Sequence, residues 1–600
     1  LFFCDAYLFY NFRIVKKEIK IQSKIKMAFR KFSKNKKKNA FVEPDEIFLD
    51  SKNLQNFDRQ QFEGRIEKPI PKKTINFLGI SFLLIIILFG VRLTYLQVKN
   101  GDNYRKRSEN NILEKVIIFT ERGIIYDRNK KELAWNKKAD LETELLFKDS
   151  VSEENMPPIR AYISPGFSHL LGYVNYPAKD SAGNYWQTEF KGIDGLEKEY
   201  NEKIKGENGS KIIETDAQGV IHSENIINAP KRGSDLITSI DSRIQKQLFA
   251  LIKNSSQNNG FVGGGAVLMD IRNGEIITSA SFPEYDSEIL SLGKDVKKIS
   301  DYMNDKGKVF LDRTISGLYT PGSIVKPFLS LGALAEGVID PYKKILSTGS
   351  ISIPNPYFKD QKTVFKDWRV NGWTDMAQAL AVSSDIYFYE IGGGYEDQKG
   401  LGIANIGKYA ELFGFKNKTG VDLPDETEGT IPSPEWKIKN FKGDIWRIGD
   451  TYNTAIGQYG FQVTPIEMAR AVSAIANNGR LLTPHFILGD TKKENQFSAV
   501  NLKKEYFDVV HNGMRQAVTY GTASALNVSY VKVAAKTGTA QLGINKNKVN
   551  SWVIGFFPYE NPKYAFTLMM EAGPSANDVN ASSVMRQLLD WMSTNTPEYF

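Results

Sequence analysis

The sequence predicts an α+β protein held to a membrane by a single N-terminal helix. Three observations carry that prediction. An uncharged, strongly apolar stretch runs from Ile75 to Val91 behind a lysine-rich tail. Apolar strand patterns recur around residues 235–280 and again around 530–570. The interval between them is dominated by helical periodicity, as in Ile466–Ala476. Strands at both ends with helices between imply one antiparallel sheet closed by both ends of the segment, with helices on both faces.

The chain has 600 residues, 41% of them hydrophobic, enough for several units with real cores. Much of the net charge of +9 sits between Arg13 and Lys73, in runs such as Lys36-Lys37-Lys38. Such a tail suits either nucleic acid or the cytoplasmic flank of a membrane helix. The next segment selects the membrane, and no nucleic-acid partner is expected. Extended to Leu96, the apolar stretch crosses a hydrocarbon layer about 30 Å thick. Arg92 falls near its far end, where it can reach the headgroups. No polar stripe marks a core helix and no small-residue cleavage site follows, so the stretch reads as an uncleaved anchor. Lysines before it place the N-terminus in the cytoplasm and everything after about Lys99 outside the cytoplasmic (inner) membrane.

Met27 opens a basic tail leading to the anchor, whereas the chain begins at Leu1. Residues 1–26 are therefore expected to precede the genuine start, and Cys4, the only cysteine, with them. A lone cysteine excludes an internal disulfide and cysteine-based metal or thiol chemistry. His169, His222, His485 and His511 form no His-x-x-x-His pair, which argues against a zinc hydrolase.

Four segments follow: a basic tail over 1–74, the anchor over 75–96, a mixed and turn-rich domain over 97–234, and a larger domain over 235–600. In the third, Val116–Phe119 reads as a strand, Gly123–Asn129 as strand and turn, and Asp180–Tyr185 as a loop. In the fourth, Asp235–Asp241 reads as a strand entering a helix over Ser242–Ile252. Gly265–Asp270 and Gly274–Ala280 form a hairpin about Arg272-Asn273-Gly274. Strand patterns return at Tyr530–Ala535, Ser551–Phe557 and Tyr564–Met570, and a last helix fits Ser582–Met592.

The chemistry gathers at three short motifs. In Pro321-Gly322-Ser323-Ile324-Val325-Lys326, a turn opens an apolar helix that places Ser323 in its first turn and Lys326 on the same face. A serine hydroxyl becomes a nucleophile when a neighbouring base takes its proton, and a desolvated lysine can be that base. The Ser323 amide lies near the positive end of the helix dipole, which favours an oxyanion. Ser383-Ser384-Asp385 offers Ser-x-Asp at the mouth of an apolar stretch. Lys536-Thr537-Gly538-Thr539 offers Lys-Thr-Gly at the end of a strand, with small residues that let a substrate backbone approach. Each motif has decoys. Ser23/Lys26 and Ser33/Lys36 repeat the first spacing in the tail. Lys418-Thr419-Gly420 precedes a loop, and Ser575-Ala576-Asn577 follows the last motif instead of preceding it. Order and context select Ser323/Lys326, Ser383/Asp385 and Lys536/Gly538. Ser-x-x-Lys, Ser-Asp-Asn and Lys-Thr-Gly are the motif set of β-lactamases and penicillin-binding proteins.

With these motifs the chain resembles a class B penicillin-binding protein, most of all one of the elongation type. Arg122–Arg128, His169–Tyr173 and Gly195–Tyr200 resemble motifs of the family's non-catalytic pedestal, or dimerisation, domain. Thr454–Gly460 and Val463-Thr464-Pro465 resemble the stretch flanking the cleft, and Trp552–Phe556 the strand beside Lys-Thr-Gly. The resemblance implies a peptidoglycan D,D-transpeptidase. Ser323 attacks the penultimate D-Ala carbonyl of a stem peptide, Lys326 takes its proton, and Ser383 relays a proton to the leaving D-Ala. Lys536 and Thr537 hold the terminal carboxylate, Gly538 lines the site, and the amides of Ser323 and Thr539 form the oxyanion hole. β-Lactams are implied covalent inhibitors. A polytopic glycan polymerase and rod-complex proteins are implied partners, and no cofactor is required.

Asp385 stands where much of the wider superfamily has Asn, which favours the elongation type. An anionic Asp385 beside two lysines favours their charged forms and so works against Lys326 as base. Some elongation-type members hold a metal near the cleft through His and Cys. The matching region, Trp368–Ser384, has Asn371 and Ser384 instead, so no metal is expected. The alternatives are a division-type transpeptidase, a β-lactamase or β-lactam sensor, and an inactive scaffold. A class A β-lactamase needs Glu-x-x-Leu-Asn between Ser383 and Lys536, which the sequence lacks. A bifunctional synthase needs Glu-Asp-x-x-Phe, and the segment 100–234 is short for its second domain. For Arg122, Asp127 and Arg128 the expected role is ion pairing that stabilises the fold.

Overall fold

The computed structural model describes residues 72–105, 113–138, 156–181, 185–215 and 221–600, apart from 359, 544 and 578. The basic tail up to residue 71, Cys4 and the Met27 start lie outside the described residues. The chain divides after Tyr104 into two compact units.

In the first unit, helix α1 (Lys72–Thr94) continues into a π-helical turn, Tyr95–Lys99. It is longer than the expected anchor at both ends, because Lys72 and Lys99 extend it without breaking the apolar core. Phe77, Phe82, Ile86, Leu88 and Phe89 are all exposed around its girth. Among the described residues it is the one helix long and apolar enough to cross a membrane.

The second unit opens with β1 (Leu113–Ile118), β2 (Ile125–Tyr126), β3 (Glu132–Lys137) and β4 (Ile159–Tyr162). Strands β5 (Gly209–Thr215), β6 (Ile221–Asn228) and β7 (Leu236–Ile237) follow. β1 pairs with β5, and β5 with β6; the order β7-β2-β3-β4 makes a second sheet. The strand expected over Asp235–Asp241 is thus shorter. It runs parallel to β2 and belongs to the sheet before it. This sheet is tied by a buried charge cluster. Glu197 accepts from Arg122 Nε at 2.5 Å and from Arg160 Nε at 2.7 Å, and all three side chains are at most 1% exposed. Burial alone would raise the Glu197 carboxyl, but the two guanidiniums outweigh it and hold it below the usual carboxylate range. Arg128 pairs with Glu275 at 3.0 Å. Asp127 forms no ion pair among the described residues. Its carboxylate accepts from the amides of Asn129, Lys131 and Ser242 and from the Ser242 hydroxyl. The expected ion-pair role therefore fits the two arginines, and Asp127 acts as a turn and helix cap.

Helix α2 (Ser242–Asn259) is capped by Asp241, whose carboxylate accepts from the Arg243 amide, and it ends at Gly260 with φ +72°. The hairpin of β8 (Gly263–Asp270) and β9 (Ile276–Phe282) follows. Then come α3 (Lys326–Ala335), α4 (Met376–Val382), α5 (Asp385–Gly393), α6 (Pro465–Ala476) and α7 (Lys504–Thr519). β10 (Ala534–Leu542), β11 (Lys548–Phe557), β12 (Tyr564–Pro574) and α8 (Ala581–Asn595) complete the chain. The sheet order is β9-β8-β12-β11-β10, antiparallel throughout. Both ends of the segment build it, as the sequence implies. Alternate residues serve opposite faces. Val553 and Leu568 join Leu248 of α2 and Leu588 of α8, while Ile554 and Met569 join Val472 of α6 and Met514 of α7. The strand expected at Tyr530–Ala535 begins only at Ala534, so Lys536 sits near the start of a strand and not at its end.

Replacing Glu197 with Gln leaves two buried guanidiniums without a counter-charge. The expected loss is about 3–5 kcal/mol, read from the urea unfolding midpoint of the detergent-solubilised chain. Because the folded carboxyl is lowered, its contribution is complete above the ordinary Glu value of about 4.3 and fades only as pH falls below it.

Candidate active site

Ser323 sits on a 3-10 turn, Gly322–Val325, that runs straight into α3. Three backbone contacts fix this turn. Gly322 N–H donates to the Gly457 carbonyl at 2.9 Å, and Tyr319 and Val463 exchange two bonds of 3.0 Å each. Trp552 Nε1 donates to the Thr320 carbonyl at 3.0 Å. The packing leaves no room for side chains. A Cβ on Gly457 would lie 2.2 Å from the Gly322 oxygen, and one on Gly538 would lie 2.8 Å from the Pro321 oxygen. Gly538, expected at the substrate, therefore faces the nucleophile's turn. It lets β10, an edge strand, lie directly against that turn.

The lysines come from different elements. Lys326 opens α3 and Lys536 lies on β10; both are 0% exposed. Lys326 Nζ donates to Asp385 Oδ1 at 2.6 Å, to the Ser383 carbonyl at 3.0 Å and to Ser383 Oγ at 3.4 Å. Lys536 Nζ lies 2.7 Å from Ser383 Oγ and 2.8 Å from the Thr537 carbonyl. The Ser383 hydroxyl therefore bridges two buried amines. Burial, reinforced by the charge of Lys326, holds the Lys536 amine well below the usual lysine range, against the opposing pull of Asp385. The Ser323 hydroxyl is partly exposed and makes no hydrogen bond among the described residues. Expected contact between it and Lys326 is thus not formed here, since Asp385 and Ser383 take the amine instead.

Ser383 occupies the break between α4 and α5 with φ +57°, a left-handed conformation unusual for a residue with a Cβ. Asp367 supports that break. Its Oδ2 accepts from Ser384 Oγ at 2.7 Å, from Ser347 Oγ at 2.9 Å and from the Ile386 amide at 3.2 Å. Ser384 Oγ accepts in turn from the Tyr387 amide and caps α5. Thr522 is a second supporting group. Its amide donates to the Ala381 carbonyl at 3.1 Å, and its hydroxyl meets that of Thr537 at 2.7 Å. Neither Asp367 nor Thr522 is visible in the motifs. The nearest signal is Gly521, whose Cβ would strike the Ala381 oxygen at 2.1 Å. Along β10, Thr537 is partly exposed and Thr539 exposed, while Lys536 and Gly538 point inward. The decoy Thr419 is bound to Glu426 in a loop, and Ser23 and Ser33 lie outside the described residues.

A serine with two lysines, a second serine and an edge strand is the equipment of a serine acyl-transfer site. The penicillin-binding protein transpeptidase domain, as a sequence family, matches residues 264–590, more than half of the chain. The chain belongs to that family. The penicillin-binding protein dimerisation domain matches residues 150–238. The peptidoglycan D,D-transpeptidase MrdA of Haemophilus influenzae is 26% identical over 610 residues, which covers 85% of this chain and 90% of the relative. Among solved structures, the complex of PBP2 with MreC from Helicobacter pylori gives a TM-score of 0.65 at 27% identity. It covers 81% of this chain and all of the other. PBP2 of Pseudomonas aeruginosa gives 0.64 at 27% identity, covering 80% and 97%. Dimerisation region followed by transpeptidase region, with these relatives, is the plan of a class B penicillin-binding protein similar to PBP2.

Two outcomes follow for this penicillin-binding protein. Asp367→Ala removes the acceptor that holds Ser384 and the start of α5. Displacing Ser383 by about 1 Å is expected to slow acylation by a labelled penicillin about 100-fold, measured by stopped-flow or gel fluorescence. A lysine with lowered proton affinity costs stability at neutral pH, where the unfolded chain keeps the proton. That cost fades as pH rises towards the ordinary lysine value of about 10.4. Lys536→Met is therefore expected to raise the melting temperature at pH 7, by an amount that narrows towards pH 10, while acylation falls about 10²–10⁴-fold.

Proposed function

We propose that this chain is a peptidoglycan D,D-transpeptidase of cell-wall elongation, acting through an acyl-enzyme on Ser323. The observation that carries the reading is the Ser383 hydroxyl between two buried lysines, 3.4 Å from Lys326 and 2.7 Å from Lys536. The Ser323 oxygen attacks the penultimate D-Ala carbonyl of a stem peptide. The Ser323 proton passes to Lys326. Lys326 holds Asp385 on one N–H bond, so it acts as base only after passing a proton onward. Ser383 is the outlet, because its hydroxyl also reaches Lys536, whose lowered hold on its own proton leaves a lone pair open to take one. When the carbon–nitrogen bond breaks, Ser383 gives a proton to the leaving D-Ala amine and is refilled from a lysine. The amine of a second stem peptide then forms a bond to the acyl carbon as the bond to Ser323 oxygen breaks, and the proton lost from that amine returns through the lysine–serine pair to Ser323. Thr537 and Thr539 present hydroxyls along β10 for the terminal carboxylate, with Lys536 behind them, and the amides of Ser323 and Thr539 stabilise the oxyanion.

The reading extends to the setting. α1 anchors the chain in the cytoplasmic membrane with its basic flank inside and the transpeptidase outside. A division shortly after β7, in place of the one expected at residue 235, separates a non-catalytic pedestal from the enzyme. Because the Helicobacter pylori neighbour was solved with MreC, a rod-complex protein and a polytopic glycan polymerase are the proposed partners.

Incubation with benzylpenicillin is expected to add one penicilloyl group, mapped by peptide mass spectrometry to Ser323 and absent from Ser323→Ala. An adduct elsewhere, or rapid hydrolytic turnover in place of a stable adduct, would overturn the reading.

A further inference from the structure

Away from the serine–lysine site lies a second cluster that the proposed reaction leaves unused. Glu275, His485 and Glu494 each offer one ligand atom, and these atoms lie within 4.8 Å of one another. It is the one such cluster among the described residues. His485 is 0% exposed and Glu275 is 4% exposed. Glu494 is partly exposed and closes the outer side.

The histidine supplies the decisive detail. Its Nδ1 lies 3.2 Å from the Thr483 carbonyl, which can only accept. That nitrogen therefore carries the proton, and the lone pair is left on Nε2. Nε2 is fully buried and has no hydrogen-bond partner. A buried imidazole nitrogen without a partner costs stability unless something occupies it. A carbonyl on one ring nitrogen and an open lone pair on the other is the usual preparation of a metal-binding histidine. No ion pair joins His485 to either carboxylate among the described residues, so the three groups come together without satisfying one another. Glu275 is itself held in place, by the Gly489 amide on Oε1 at 3.1 Å and by Arg128 on Oε2 at 3.0 Å. Glu494 makes no side-chain hydrogen bond among the described residues.

We propose that Glu275, His485 and Glu494 form a structural site for a divalent cation of the zinc type. One imidazole and two carboxylates are a donor set that suits zinc at metal–ligand distances of about 2.0–2.2 Å. Ligand atoms at such distances are separated by about 3.4 Å, so small inward movements, mainly of Glu494, complete the site. Two carboxylates and one arginine leave a net negative charge there, which the cation neutralises. The location gives the ion a structural role. Glu275 leads into β9, His485 pairs with it through Ile276 N–H to the His485 carbonyl at 2.9 Å, and Leu488 N–H donates to Ile237 of β7 at 3.1 Å. The ion therefore clamps the segment 483–494 to the catalytic sheet, where Arg128 from the turn after β2 also converges. The sequence led to the expectation of no metal in the chain, and this site departs from that expectation; it shares no residue with the cleft region Trp368–Ser384.

The test uses full-length protein in detergent, prepared without a histidine tag, stripped with chelator, reloaded with zinc and desalted. Elemental analysis is expected to find about one zinc per chain, and zinc is expected to raise the melting temperature. Glu494→Gln, on the outer side, is expected to lose both effects while still labelling with penicillin. His485→Gln serves as the second variant. Wild-type protein that keeps no zinc would mean that the three groups bind no metal, and equal retention by Glu494→Gln would place the metal elsewhere. Either result overturns the proposal.

Discussion

Two lysine amines, both buried, converge on one serine hydroxyl with a single carboxylate to share. The remaining architecture of the site answers to that constraint. Two cations cannot both remain charged cheaply in a dry interior with one counter-ion. Asp385 lies against Lys326, so Lys536 has no ion-pair partner among the described residues and gives up its hold on the proton. The arrangement costs stability, and it is kept only because α3, the α4–α5 break and β10 are each held by contacts independent of the lysines. Asp367 secures the break, Trp552 and Val463 secure the turn before Ser323, and a five-stranded sheet secures β10.

The constellation was legible because its three motifs are short, ordered and covalently spaced. Decoys with the same spacing at Ser23, Lys418 and Ser575 failed on order or context. What stayed hidden depends on distant chain segments meeting. Asp367 looks like any loop aspartate until the strand carrying Ser347 folds back and α5 begins beside it. Thr522 acquires meaning only through Ala381 and Thr537. The roles given to Gly538 and Lys536 shift for a related reason. Sequence shows that a small residue and a cation occur there, but the pleat of β10 decides that both point inward while Thr537 and Thr539 face out.

The same limit governs the fold. One antiparallel sheet built by both ends of the segment followed from its strand patterns, whereas the strand order within it did not. Strand limits did not follow. Tyr530–Val533 has the residue types of a strand yet lies outside β10, because the pairing with β11 begins at Ala534 opposite Phe556 and runs on to Leu542 opposite Lys548. Leu236–Ile237 was read as the opening of the catalytic domain and instead completes the sheet before it, through a parallel pairing with β2 that no local pattern encodes. Arg122, ahead of β2, and Arg160, on β4, meet one glutamate from distant parts of the chain, so only their residue types are readable in advance.

The glycines around Ser323 carry a further consequence. Gly322, Gly457 and Gly538 pack backbone against backbone, with approaches that any Cβ would close. No neighbouring side chain can shrink to admit a larger residue there, so these positions cannot drift. Substitutions that reshape the cleft are therefore tolerated more readily at the outward side chains of β10, Thr537 and Thr539, than at the turn itself. The turn that presents the nucleophile is a fixed target for inhibitor design.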